Sequence, residues 1–123
     1  MNYVIIGGDS KACRDFINIL AGSIDHLTII CPEIQYAQSL PAEFKGNLVI
    51  GNLRKESTLE KANLSSADTV LIWTKNEDIN ALLAAAVKKI YNVKNVVVYT
   101  CESKNSKFYE DLEIDTVAIS KFL

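Results

Sequence analysis

Short apolar runs alternate along the chain with longer stretches in which apolar residues recur every three or four positions. "YVII" (Tyr3–Ile6) has no polar break, as expected of a strand covered on both faces. From Ser10 to Leu20 the residues Ala12, Cys13, Phe16, Ile17, Ile19 and Leu20 fall at helical spacing, and "AGS" (Ala21–Ser23) closes that helix. "LTII" (Leu27–Ile30) predicts a second strand, Pro32 punctuates it, and Glu33 to Leu40 predicts a weaker helix ended by Pro41. "NLVIG" (Asn47–Gly51) is the third strand, and Ser57 is placed to cap a short helix running to Ala62. "TVLIW" (Thr69–Trp73) is the fourth strand. Ile79 to Ile90 is the clearest helix, with strong helix formers throughout. "NVVVY" (Asn95–Tyr99), a helix over Ser106–Leu112 and "TVAIS" (Thr116–Ser120) complete the pattern.

Short strands separated by helices imply βαβ units and right-handed crossovers. The fold class expected is α/β: a Rossmann-like, doubly wound, mostly parallel six-stranded sheet with helices on both faces. No linker, repeat or low-complexity tract interrupts the 123 residues, so residues 1–123 are read as one domain. Ligands of such folds bind beyond the carboxyl ends of the strands, where the strand order reverses. The residues that follow each strand are therefore the ones to read as chemistry.

The first strand runs into Gly7-Gly8-Asp9-Ser10-Lys11-Ala12. Against the dinucleotide fingerprint G-x-G-x-x-G, Gly7 supplies the tight turn and Ala12 the small residue that lets helix and strand pack. Asp9 stands at the second glycine, where a missing side chain normally lets a pyrophosphate reach the backbone. A carboxylate there repels a pyrophosphate and competes for the same N–H groups. Two arrangements fit these residues: Asp9 or Ser10 caps the helix, or Asp9 turns aside and Ser10 and Lys11 meet a phosphate. After the second strand, a ribose-binding carboxylate is expected about 20 residues past the glycines. Cys31 is found instead, with Glu33 two residues on and Asp25 at the wrong end of the strand. A thiol cannot accept two hydroxyl hydrogen bonds as a carboxylate does. Asn52 follows the third strand and offers an amide to a base edge or hydroxyl. Thr74 is at the tip of the fourth strand, and Asn80 enters the next helix. Trp73 either packs on the sheet or walls the cleft, where its face can stack on a base. Glu77 and Asp78 favour the helix N-terminus electrostatically.

Composition narrows the function classes. Apolar residues make up 49% and charged residues 23%, the balance of a folded globular chain. The net charge of -2 and the scattered lysines argue against nucleic acid as a partner. No apolar run approaches the roughly 20 residues of a membrane span, and the N-terminus lacks the features of a signal peptide, so a cytoplasmic chain is expected. Cys13, Cys31 and Cys101 share no CxxC spacing and read as buried free thiols. His26 is the single histidine and precedes a strand, on the side away from the switch point. A catalytic triad or a histidine metal site is not expected, and no GxxxxGK[ST] loop is present. A phosphate-accepting receiver domain is excluded by Asn52 after the third strand and Thr100-Cys101 after the fifth.

The order of these pieces resembles the TrkA-type N-terminal domain, also called the RCK or KTN domain, which regulates potassium channels and transporters. The resemblance runs from "YVIIGG" through "LVIGN" and "STLEKANLSSADTVLIWT" to "TKNEDINALLAAAVKK" and "FYEDLEIDTVAIS". It implies that Gly7 and Ser10 belong to a phosphate loop, with Thr74 and Asn80 at the family's strand tip and helix positions. The ribose carboxylate of the family falls on Cys31, its turn aspartate on Asn52 and its second glycine on Asp9. The cleft is therefore expected either as a weakened site for NAD(H) or an adenine nucleotide, or as an empty one. The resemblance implies self-association into dimers or rings and a membrane potassium channel or transporter subunit as partner. That partner would bring a cytoplasmic chain to the inner membrane face. It also implies a regulatory role and no enzymatic one, since neither a substrate domain nor a catalytic acid or base accompanies the nucleotide half of an oxidoreductase here. The family's C-terminal ligand-binding subdomain is absent from these residues, which implies a fragment or a minimal subunit.

Overall fold

The computed structural model describes residues 1–119 apart from 25, 39, 42 and 43. Six strands form one sheet: β1 (Asn2–Gly7), β2 (His26–Cys31), β3 (Asn47–Ile50), β4 (Thr69–Trp73), β5 (Asn95–Thr100) and β6 (Asp115–Ala118). Their order is β3-β2-β1-β4-β5-β6, and every pairing is parallel. The order reverses between β1 and β4, which puts the switch point at the carboxyl ends of those two strands. The four helices are α1 (Lys11–Ala21), α2 (Glu56–Lys61), α3 (Glu77–Lys89) and α4 (Ser106–Asp111).

The uninterrupted apolar runs have the cause expected of them, because alternate residues of each central strand serve two cores. Val4, Ile6, Ile30, Val70, Ile72, Val96 and Val98 face a core closed by Leu59, Leu83, Val87 and Tyr109. Ile5, Leu27, Ile29, Cys31 and Trp73 face a second core closed by Cys13 and Ile17, with Phe16 and Tyr99 packed against it. Trp73 belongs to this second core. Its indole stacks on the Tyr99 ring at 4.8 Å between centroids and 8° between planes. Of the two places open to it from sequence, it takes the sheet.

Three local expectations are corrected. Among its described residues the segment Glu33–Leu40 holds a single 3-10 turn, Ile34–Ala37, with no side-chain cap. Ile34 points outward at 66% exposure while Tyr36 and Leu40 are only partly buried against the second core, too little apolar burial to hold a longer helix down. Helix α2 begins at Glu56, leaving Ser57 inside the first turn and Lys55 at the cap position without a side-chain bond. The chain has already reversed at Asn52, whose Oδ1 accepts from the Arg54 N–H at 2.9 Å and whose carbonyl accepts from Lys55 N–H at 3.1 Å. Ile19, counted in the apolar spacing of the first helix, is 72% exposed. The buried stripe of α1 is carried by Cys13 and Ile17. Asp25 and Ser120 lie outside the described residues.

Candidate functional site

The β1–α1 turn is shaped by its glycines. A Cβ on Gly7 would run into the carbonyl oxygen of Trp73, and Gly8 has φ +101, a region that L side chains rarely adopt. Gly8 rests on Cys31, whose Sγ would lie 3.2 Å from a Cβ placed there. Ser10 is the N-cap of α1, its Oγ accepting from the Cys13 N–H at 3.2 Å. Such a cap is worth about 1 kcal/mol.

Asp9 does not cap the helix. Its carboxylate reaches across the switch point to the next turn, where the Lys75 N–H donates to both oxygens at 3.2 and 3.1 Å. Lys11 is directed along α1 to Asp15 at 2.8 Å, an exposed (i, i+4) pair worth at most about 0.5 kcal/mol. Of the arrangements open from sequence, this one has Ser10 as the cap and Asp9 turned aside.

In the β4–α3 turn Thr74 and Asn80 spend their polar groups on each other. Thr74 N–H donates to Asn80 Oδ1 at 3.1 Å, Asn80 Nδ2 donates back to the Thr74 carbonyl at 3.1 Å, and the Thr74 hydroxyl also donates to Asn80 Oδ1. Asn76 caps α3 by accepting the Ile79 N–H at 3.0 Å. Asn80 is fully buried, with its amide held by the tip of β4. Glu77, in the first turn of α3, accepts from the Thr100 hydroxyl at 2.8 Å and the Cys101 N–H at 3.1 Å. This acid ties α3 to the end of β5 as well as facing the helix dipole.

Between these turns and the β3–α2 turn lies a cleft of about 330 Å³, lined by Asp9, Pro32, Asn52, Leu53, Arg54, Thr74, Asn76 and Ile79. Of the residues expected from sequence, Asp9, Asn52 and Thr74 line it. Gly7, Gly8, Ser10, Lys11, Cys31 and Asn80 are not among its lining residues. Arg54 and Asn76 also line the cleft and were not singled out from sequence. Asn76 was legible as the Asn three residues before the apolar spacing of α3 begins. Arg14 was also missed. Its Nη1 donates to the Gly8 carbonyl at 3.0 Å, and its guanidinium lies 5.6 Å from the Tyr36 ring centroid. The signal for it was the one-turn spacing from Ser10, which places both on one face of α1.

The thiols behind the loop are inert. Burial pushes Cys13 up to about 12, with the Asp9 carboxylate adding to the shift, and burial followed by Asp9 pushes Cys31 up to about 11. Both stay protonated at neutral pH and supply neither a nucleophile nor a thiolate ligand. Among the described residues no group of His, Cys, Asp and Glu side chains could hold a metal ion. His26 is exposed at the start of β2, on the opposite edge of the sheet from the cleft.

Over residues 3–120 the sequence matches the TrkA-N domain family. The chain belongs to the TrkA-N family. A Trk system potassium uptake protein TrkA homolog of Methanothermobacter thermautotrophicus is 25% identical over 115 residues, covering 94% of this chain and 53% of the relative. The TrkA-N domain thus spans about half the length of that relative. Among solved structures, the NAD(P)-binding domain of an exopolyphosphatase-related protein from Archaeoglobus fulgidus superposes with a TM-score of 0.77 at 18% identity, covering 96% of this chain and 87% of that one. The AMP-bound Kef CTD of Shewanella denitrificans superposes with a TM-score of 0.70 at 20% identity, covering 96% and 72%. At those identities the two neighbours show the Rossmann-like fold that this TrkA-N domain shares.

Proposed function

We infer that this chain is a non-enzymatic, cytoplasmic regulatory domain of a potassium-transport system, acting through its switch-point cleft. The observation that carries this reading is the TrkA-N match over residues 3–120, together with a potassium-uptake relative that aligns with nearly all of the chain. The cleft is bordered by residues that follow β1, β2, β3 and β4, so its occupant lies at the ends of all four strands. A ligand there biases a conformational equilibrium by its differential affinity for the two states, and transmits that bias to a membrane-bound transporter subunit. The site residues of this reading are Gly7, Gly8, Asp9, Ser10, Lys11, Cys31, Asn52, Thr74 and Asn80. For a dinucleotide such as NAD(H) the site is degenerate at Asp9, Cys31 and Asn52. Two like charges about 4 Å apart repel by about 4 kcal/mol at an effective dielectric constant near 20, which sets the scale of the cost of a phosphate beside Asp9. The test is rubidium uptake in source cells lacking this chain. Altered uptake, restored by the wild-type gene, is expected, and unchanged uptake rejects the reading.

A second reading is a ligand-free dimerisation module of the same fold. It is favoured by an apolar groove between α2 and α3, bordered by Leu59, Leu83 and Ala86, with Leu82 and Ile90 left 58% and 67% exposed. It predicts a dimer by light scattering with no ligand present. A monomer that binds a ligand in the cleft rejects it.

A further inference from the structure

We propose that Asp9 makes the switch-point cleft a receptor for an uncharged nucleoside, holding the ribose diol where a dinucleotide would place its pyrophosphate. The inference rests on the reading of this cleft as a regulatory ligand site, and it names the ligand class.

A dinucleotide site of this fold needs an open backbone at the β1–α1 turn for phosphate and a carboxylate at the end of β2 for the ribose hydroxyls. Here the carboxylate stands at the β1–α1 turn and the end of β2 lacks one. The end of β2 carries Cys31, a buried thiol pressed against Gly8. The carboxylate is found on Asp9, which lines the cleft from the β1–α1 side. Among the described residues a single N–H, that of Lys75, is shared between its two oxygens. An ionised carboxylate has about four acceptor positions, so lone pairs remain for two hydroxyl donors. A vicinal diol supplies that pair. A phosphate supplies only negative oxygens and meets repulsion.

The two cationic side chains of α1 are committed elsewhere, whereas the Lys75 ammonium of the neighbouring turn has no ion pair among the described residues. The Lys11 ammonium is paired with Asp15, and the Arg14 guanidinium is bonded to the Gly8 carbonyl and set over Tyr36. Pro32, Leu53 and Ile79 also line the cleft and give apolar surface for a flat base. Asn52 and Asn76 spend their Oδ1 atoms on the Arg54 and Ile79 N–H groups. Their NH2 groups have no partner among the described residues and can donate to the acceptor edge of a base. The volume, about 330 Å³, lies at the small end of the range of roughly 300–1,000 Å³ for small-molecule pockets, which favours one nucleoside over a dinucleotide. Arg54 is the cation that lines the cleft, and the nucleotide arms of the test measure whether it reverses the preference.

The test is calorimetric titration of the full chain with adenosine, guanosine and cytidine, each against its 5′-monophosphate, and with NAD. At least one nucleoside is expected to bind at least tenfold more tightly than its monophosphate and than NAD. Asp9→Asn is expected to weaken that nucleoside at least fivefold, and Asp9→Gly to narrow or invert the preference over the monophosphate. The proposal is overturned if no nucleoside binds, if any monophosphate or NAD binds within tenfold of the best nucleoside, or if Asp9→Asn changes nucleoside affinity less than fivefold. The wild-type ranking needs no variant to fold. The uptake experiment is independent of it. Altered uptake with no nucleoside binding removes this inference alone, and nucleoside binding with unchanged uptake removes the regulatory reading alone.

Discussion

The β1–α1 and β4–α3 turns lie side by side at the carboxyl edge of the sheet, where Gly7 pairs with Trp73. Both end a buried strand, and both start a helix with a side-chain cap, Ser10 in one and Asn76 in the other. They differ in where the remaining polar groups go. The β4–α3 turn closes on itself, with Thr74 and Asn80 exchanging hydrogen bonds in a buried clamp. The β1–α1 turn meets its local needs with glycines and Ser10 and sends its one carboxylate outward to Lys75. Two turns of the same architecture thus divide the work. One is a fastening, and the other is a fastening plus a free acceptor in a cleft. Ligand chemistry is to be sought where a polar group exceeds what the local backbone requires.

That contrast can be broken most severely at the glycine. Gly7→Ala drives a methyl into the Trp73 carbonyl and should cost about 3 kcal/mol or more, measured by urea unfolding of the two proteins. A loss under 1 kcal/mol would mean that the two turns are not in register contact. Asn80→Ala removes the clamp and leaves the buried Thr74 N–H and carbonyl unpaired. A loss of about 2–3 kcal/mol is expected in the same assay. By contrast, Ser10→Ala removes only a cap and should cost about 1 kcal/mol. If Ser10→Ala proves as costly as Asn80→Ala, the division between the two turns is wrong.

Alkaline pH sharpens the same comparison, because a buried thiol lies behind the β1–α1 turn. Cys13 is held up at about 12, against an ordinary thiol value of 9.0. The unfolded chain therefore releases this proton first as pH rises, and binds fewer protons than the folded chain. Stability is complete below pH 9 and falls between 9 and 12, by about 1 kcal/mol from pH 9 to 10 for this group alone. Cys13→Ala should flatten that part of the profile in a stability series across the same range.

Much of this layout was legible in the pattern of residues. The strands could be placed because two-sided burial leaves runs such as Tyr3–Ile6 and Thr69–Trp73 without polar breaks. Gly7, Thr74 and Asn80 could be singled out because they follow strands in a fold whose ligands lie there. The destination of each polar atom was not legible. A carboxylate at Asp9 has an amide to accept from in its own helix and another in the neighbouring turn, and only the placement of β4 beside β1 decides between them. The partner of Asn80 depends on a six-residue loop closure from Thr74 that no helical or strand period encodes. Arg14 carried a spacing signal, yet its carbonyl partner on Gly8 exists only because that glycine adopts a positive φ. Over Glu33–Leu40 helical spacing misled, since a few apolar residues that are only partly buried do not sustain a helix.

The claim on which the cleft depends is that Asp9 crosses the switch point to the Lys75 amide. Comparing backbone amide resonances of the wild type and Asp9→Ala by NMR tests this directly. The Lys75 N–H resonance should shift when the Asp9 carboxylate is removed, while the Cys13 N–H, capped by Ser10, stays unchanged. A Lys75 resonance indifferent to Asp9, with the first-turn amides of α1 moving in its place, would contradict the account.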